Sequence, residues 1–289
     1  WSVSVLVDLK RKLVQLISAV TLNSYAGGFV QGTIYRGPLK QVCVPVLNCY
    51  SCPGAVTSCP IGSLQALASG VAFNFSFYVA GIIAMSGVLG GRFSCGWLCP
   101  FGLIQDLLYR IPFIKFCLPL WTRYVKYLVA GLFVLVLPAF ALDAFGLGTP
   151  YFCKWLCPAG TLEAAIPLAL LEPGIRGALG ALFAWRLTWL FLILLFCLAV
   201  RRAFCRVFCP LGAILSLFNH ISFFTISRNE QICRHCGQCN EVCYLGPAPA
   251  PVVNHPECIR CLKCVKSCPA GALSWNFQGR NKEEGVFYG

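Results

Sequence analysis

Charge is scarce in this chain of 289 residues: Asp, Glu, Lys and Arg make up 11%, against 58% hydrophobic residues. Soluble globular domains usually carry about 25% charged residues, so a chain wetted on all sides is excluded. Acidic residues are the rarer sign, 10 against 23 Lys and Arg, for a formal net charge of +13. That excess does not point to nucleic acid. The basic residues flank apolar runs instead of forming a recognition helix or an aromatic-interleaved stripe. No histidines are paired for haem b, no glycine loop suits a phosphate, and no nucleophile motif is present. No cleavable signal peptide is expected either, because the first apolar run is long and lacks a small-residue cleavage site.

What the chain does have is apolar length and 20 cysteines. In a short secreted chain that many cysteines would suggest a disulfide scaffold, but this chain is neither short nor polar. The C-x2-C and C-x3-C-P spacings point to metal ligation instead. A bilayer core of about 30 Å needs roughly 20 apolar residues per helix, and four stretches meet that length: 13–30, 66–91, 124–145 and 180–200. The first is the weakest, with Gln15, Asn23, Ser24 and Gly27-Gly28 inside it. Pro138 interrupts the third late, which membrane helices tolerate, and Arg186 is expected to snorkel from the fourth. The stretches 101–114 and 159–171 are too short to span and read as interfacial or re-entrant helices.

Lys and Arg orient the spans. With the N-terminus cytoplasmic, the inner segments hold Lys10, Arg11, Lys12, Arg92, Arg110, Lys115, Arg123, Lys126, Arg201, Arg202, Arg206 and Arg228. The outer segments hold only Arg36, Lys40, Lys154, Arg176 and Arg186. The expectation is a multi-pass protein of the cytoplasmic membrane with both termini inside. Composition turns polar and cysteine-rich after Asn229, with a PAPAP loop at 247–251, dividing a transmembrane domain (1–228) from a tail domain (229–289).

The tail carries CRHCGQCNEVC and CIRCLKCVKSCP. Both have the C-x2-C-x2-C-x3-C spacing and resemble bacterial two-cluster ferredoxins, in which the fourth cysteine of each run serves the other run's cluster. The resemblance implies one [4Fe–4S] cluster on Cys233, Cys236, Cys239 and Cys268, and a second on Cys258, Cys261, Cys264 and Cys243. Tyr244 stands where a Pro usually follows the fourth cysteine.

A second pattern recurs upstream: CPIGSLQA (59–66), CPFGLIQD (99–106), CPAGTLEA (157–164) and CPLGAILS (209–216). Pro favours the first helical position, which puts each cysteine at an N-cap where the dipole favours negative charge. Each copy is expected to present a thiolate of depressed pKa. Topology sorts them. Cys95, Cys99, Cys205 and Cys209 form an inner-face site, enough for one cluster or a mononuclear iron. Cys153 and Cys157 fall on the outer face with Cys43, Cys49, Cys52 and Cys59, two more thiols than one cubane needs. The spare pair has three open uses: a further iron, ligation in place of Cys43, or a disulfide.

Lesser candidates are Asp106 and Glu163, carboxylates in apolar segments that are either functional or simply reach water at the interface, and His220, either structural or a partner for a quinone carbonyl. His235 and His255 either lie exposed at the surface, the favoured reading, or tune the tail clusters, and Arg234, Arg260, Lys263 and Lys266 either steer an acidic redox partner or only solubilise the tail. Cys117 and Cys197 read as inert.

Taken together, the spans, the C-x3-C-P repeats and the eight-cysteine tail resemble the NapH/MauN-type membrane iron–sulfur proteins, related to NosR and CcoG. The resemblance implies a mostly α integral membrane protein with about four transmembrane helices, short re-entrant helices and a C-terminal α+β ferredoxin domain. It also implies two [4Fe–4S] clusters, one or two further cysteine-ligated clusters or iron sites, and contact with a quinone. The function implied is an electron-transfer subunit of an anaerobic respiratory oxidoreductase complex, meeting a soluble donor or acceptor at its tail. Alternatives are a quinol dehydrogenase or metal-ion reductase with its own active site, or a cluster-assembly or metal-sensing scaffold. The third C-x3-C-P pair and the CYSCPGAVTSCPIGSLQ element exceed the family pattern and point to a more cluster-rich relative.

Overall fold

The computed structural model describes residues 2–69, 77–141, 148–177, 180–243 and 254–277. Tyr244 and the 247–251 loop lie outside them, as do parts of the second and third apolar stretches and the side chain of Arg176. The protein is mostly helical. Among the described residues, two helices are long and apolar enough to cross a membrane, Thr122–Phe140 and Ala181–Ala199, and shorter apolar ones run Phe77–Gly90 and Pro158–Leu171. These two correspond to the third and fourth expected spans; residues 70–76 of the second lie outside the described residues.

The first stretch departs most. Its helix runs Ser2–Leu22, breaks over residues 23–26 and resumes only as the short Gly27–Gln31. The break falls at Asn23 and Ser24, where the apolar run gives way to polar residues, and the helix before it is charged. Asp8, Lys10, Arg11 and Lys12 occupy its first half, and Arg11 is fully buried against protein. The third stretch passes through a π-helical segment, Ala130–Val136, just before Pro138 and ends at Phe140. A π segment here fits the proline, whose missing N–H already disturbs the ladder.

Short helices fill the space between the long ones: Pro60–Ala68, Phe93–Trp97, Pro100–Leu108, Ala203–Val207 and Pro210–Leu217. One apolar core joins Leu47, Ile61, Phe101, Phe152, Ile193, Phe204, Leu211 and Leu215. Further on, β1 (Phe224–Arg228) pairs antiparallel with β2 (Leu273–Phe277), with Phe224 opposite Phe277 and Ile226 opposite Trp275. The two strands bracket both tail cysteine runs.

Candidate metal centres

The Cys-Pro motifs start helices in one way. Cys59, Cys99, Cys157 and Cys209 each stand extended at the N-cap with Pro following, where its lacking N–H costs nothing. Cys157 Sγ accepts from Gly160 N, and Cys209 Sγ from Gly212 N, both at 3.4 Å. Burial opposes the depressed thiol pKa expected from the helix start. Burial pushes Cys99 and Cys209 up, because a few N–H groups do not replace lost hydration. A cationic metal centre is what would hold thiolates there.

Cys95, Cys99, Cys205 and Cys209 are buried and close together: the charges of the other three all raise Cys209. Two arginines, each three residues before a cysteine, cross over reciprocally. Arg202 Nη1 donates to Cys95 O (2.9 Å) and Arg92 Nη2 to Cys205 O (3.2 Å). Arg202 also binds Asp106 through Nε (2.9 Å) and Nη2 (2.7 Å), and Arg11 Nη1 reaches the same carboxylate at 2.8 Å. Asp106 is thus a structural counter-ion. Gln105 Nε2 donates to Cys205 Sγ at 3.0 Å, and its Oε1 accepts from Phe204 N at 3.2 Å. Cys197 Sγ lies 3.6 Å from the same Oε1, so it belongs to this surround.

The second group gathers around Cys153 and Cys157. Cys157 lies in the field of Cys153, Cys49 and Cys59. Gln65 Nε2 donates to Cys153 Sγ at 3.1 Å while its Oε1 accepts from Phe152 N at 2.9 Å. Glu163 Oε2 accepts from Cys49 N at 2.7 Å, and so does not simply reach for water. Lys40, buried, donates through Nζ to Ala55 O at 2.6 Å. Cys43 forms a backbone bridge with Ser58.

The two groups do not sit one at each end of a span. The backbone of Leu47 lies close to the Cys99 sulfur, and that of the next residue, Asn48, close to the Cys59 sulfur. A single peptide unit separates their surrounds. The loop counted as external dips into the core, which is where Leu47 is buried.

In the tail, one cavity is lined by Cys243, Cys258, Cys261 and Cys264 with Ile226, Ile259 and Leu262. It brings the last cysteine of the first run to three of the second. Cys239 feels Cys233 and Cys236. The loop after Cys268 returns to this run, since Asn229 N donates to Ala272 O and Cys233 N to Asn229 O. Burial pushes Cys261 up to about 12, again a thiol that needs a cation to ionise. The tail touches the turn between Cys95 and Cys99: Trp97 Nε1 donates to Arg260 O at 3.0 Å, and Gly96 packs on Ile259 O so tightly that a Cβ would lie 2.3 Å away.

His220 is exposed on the 3-10 turn Phe218–His220. His255 is tied down, accepting from Glu257 N through Nδ1 at 3.1 Å and meeting Arg123 Nη1 at 3.4 Å. Glu230 and the exposed His235 lie beside Cys233. Of the four basic tail residues, Arg234 and Lys266 are exposed and Lys263 pairs with Asp8 at 2.8 Å. Arg260 is fully buried under Phe224 and cannot steer a partner. Arg186 donates to Lys154 O at 2.8 Å, so its guanidinium is held by protein.

Two matches to family models describe a 4Fe-4S binding domain. One covers residues 71–119, 130–166 and 181–228, the other 251–274. MJ0750 of Methanocaldococcus jannaschii is 32% identical over 68% of this chain and 76% of its own length. NapH of Escherichia coli and MauN of Methylobacillus flagellatus, both named ferredoxin-type proteins, are each 27% identical, over 72% and 74% of this chain and 71% and 73% of theirs. The chain belongs to the NapH/MauN-type iron–sulfur proteins. YccM of E. coli, whose name places it in electron transport, is 32% identical over 64% of this chain but only 51% of YccM. No solved structure matches. Membership carries with it [4Fe–4S] binding and an electron-transfer role. Sequence reading missed Gln65, Gln105, Arg92 and Arg202. The signal was there: Gln six residues after Cys59 and Cys99, Arg three before Cys95 and Cys205.

Proposed function

We propose that the chain is a membrane electron conduit, exchanging electrons with a soluble partner at its tail and with a quinone or extracytoplasmic partner at the far end. Residues 1–228 form the membrane domain, 229–289 the two-cluster ferredoxin domain, and both termini are cytoplasmic. Cys233, Cys236, Cys239 and Cys268 hold one cluster; Cys258, Cys261, Cys264 and Cys243 hold the second. Cys95, Cys99, Cys205 and Cys209 hold a third, and the Cys153/Cys157 group a fourth. When bound, such clusters supply one-electron redox chemistry whose potential depends on burial and hydrogen bonds to sulfur.

One observation carries the reading: the cysteine groups follow one another through direct contacts. Ile259 and Arg260, between Cys258 and Cys261, rest on Gly96 and Trp97, between Cys95 and Cys99. Leu47 and Asn48 then join the Cys99 surround to that of Cys59. A membrane core of about 30 Å is long for a bare electron hop. Short helices that end inside the fold shorten it by carrying cysteines inward.

The test is iron and acid-labile sulfide per chain, with EPR, on anaerobically purified protein. About sixteen of each, four cubanes, with reversible reduction, is the expected result. About eight irons would confine clusters to the tail and sink the conduit.

A further inference from the structure

One construction appears twice in the fold. In the first copy CPIGSLQ (59–65) faces FCKWLCPAG (152–160); in the second CPFGLIQ (99–105) faces FCRVFCPLG (204–212). The bonds repeat along with the letters. Gln65 donates to Cys153 Sγ (3.1 Å) and Ile61 O (3.2 Å) while accepting from Phe152 N. Gln105 donates to Cys205 Sγ (3.0 Å) and Phe101 O (3.4 Å) while accepting from Phe204 N. Cys59 therefore stands where Cys99 does, Cys153 where Cys205 does, and Cys157 where Cys209 does.

The fourth position breaks the match. Four residues before Cys99 is Cys95, but four before Cys59 is Ala55. The backbone there is nonetheless held alike. A buried cation binds the carbonyl in both copies, Arg202 on Cys95 O (2.9 Å) and Lys40 on Ala55 O (2.6 Å). The first copy has the frame of a four-thiolate site with one sulfur missing, and three cysteines of the preceding loop compete for that place.

Their surroundings separate them. A Cβ built on Gly160 would have Cys49 Sγ at 3.7 Å and Cys157 Sγ at 3.8 Å, so these two sulfurs flank one glycine. Glu163, at the position of the +6 glutamine in CPAGTLE, holds the Cys49 N–H at 2.7 Å and fixes the loop there. Cys52 turns to the N–H groups of Gly54 and Ala55 and to Lys40. Cys43, bridged to Ser58 through its backbone, lies in the field of Cys59 alone, whereas Cys49 lies in the fields of both Cys59 and Cys153. The geometry points to Cys49 as the replacement for the absent cysteine at 55, giving a cluster ligated by Cys49, Cys59, Cys153 and Cys157, with Cys43 and Cys52 outside it.

This assignment rests on the proposed conduit, and the test separates the two. Iron, sulfide and EPR are measured on anaerobically purified parent, C49A, C43A, C52A, C99A and the double variant C49A/A55C. C49A is expected to lose about four irons and one reducible signal, as C99A does for the other site. C43A and C52A keep the parental content, and A55C restores the lost irons in the C49A background. A parent with about eight irons overturns the conduit itself. Given a fully loaded parent, full loading of C49A, a four-iron loss in C43A or C52A, or failure of A55C to restore iron overturns the assignment. If C49A yields no folded protein, recovery of folded, fully loaded C49A/A55C still supports it, and absence of recovery counts against it.

Discussion

Gln105 grips Cys205 from two sides: its Nε2 donates to the sulfur at 3.0 Å, and its Oε1 accepts from the backbone of Phe204 at 3.2 Å. The side chain is fully buried, so neither contact is replaced by water. A neutral donor aimed at a thiolate stabilises the more negative, reduced state of whatever metal centre that thiolate holds.

Replacing Gln105 with Leu should therefore lower the potential of the Cys95/Cys99/Cys205/Cys209 centre. The expected size is about 20–60 mV, the one-electron equivalent of a net hydrogen bond of about 0.5–1.5 kcal/mol. Iron content should hold, while the stranded Phe204 N–H costs about 1–3 kcal/mol of stability. An EPR-monitored redox titration reads the shift. Q65L should move only the other centre, and a signal that moves identically in both variants would show that the glutamines do not act locally.

Glu257 fastens the tail to the helices, taking Arg92 Nη1 at 2.7 Å and, on its other oxygen, Lys126. Burial alone would raise its pKa, but Arg92 and Lys126 outweigh this and hold the carboxyl down at about 2, below its ordinary 4.5. A depressed acid contributes stability that is complete above pH 4.5 and lost as pH falls through about 2. The tail should stay docked in mild acid and come free only in that lower window. E257Q should loosen it at neutral pH, by about 3–5 kcal/mol, because two buried cations lose their counter-charge. Limited proteolysis between the helices and the tail, by trypsin at neutral pH for E257Q and by an acid protease across the acid range for the parent, checks both. Cleavage of the parent already at pH 5 would contradict the assignment.

Much of this was legible in the letters. The C-x2-C-x2-C-x3-C runs and the Cys-Pro helix starts are local signals, and they place Cys59, Cys99, Cys157 and Cys209 at N-caps without any tertiary knowledge. What hydropathy cannot see is a charged residue satisfied by protein. Arg11, Arg92, Arg202 and Arg260 all counted as interfacial or steering charges, yet all four are buried with carbonyl or carboxylate partners. The first apolar stretch, 13–30, is one helix only as far as Leu22, and upstream of it the same helix buries Arg11 against Asp106. The adjacency of the two membrane cysteine groups was invisible too, because it depends on how deeply the 43–59 loop folds inward.

Gly96 is the narrowest point between tail and membrane cysteines. A Cβ there would meet the carbonyl oxygen of Ile259 at 2.3 Å, and backbone cannot swing aside as a side chain can. G96A should push the 258–261 loop away, at about 1–3 kcal/mol for the overpacking, and break the bond from Trp97 to Arg260 O. All clusters should load, yet reduction of the membrane centres through the tail should slow, as seen by freeze-quench EPR after mixing with a soluble reductant. W97F removes the hydrogen bond without the clash and should slow transfer less. Parental rates in G96A would mean that electrons enter elsewhere.

Asp106 and Arg202 offer an asymmetric test of the buried ion cluster. Arg202 sits in the left-handed region, φ 52°, which a non-glycine residue adopts only when its surroundings compel it. Its guanidinium supplies that hold through Asp106 and Cys95 O. Asp106 also accepts from Arg11, so one carboxylate serves two cations. Removing it takes the counter-ion from Arg202 and the nearer of two from Arg11, which keeps Asp8 at 3.7 Å, whereas removing Arg202 leaves Asp106 still paired with Arg11. D106N should therefore cost at least the roughly 3–5 kcal/mol of a broken buried pair, and R202M distinctly less. Thermal unfolding in detergent, with iron content checked before each scan, ranks the two. Equal losses would mean that Arg11 gains nothing from Asp106.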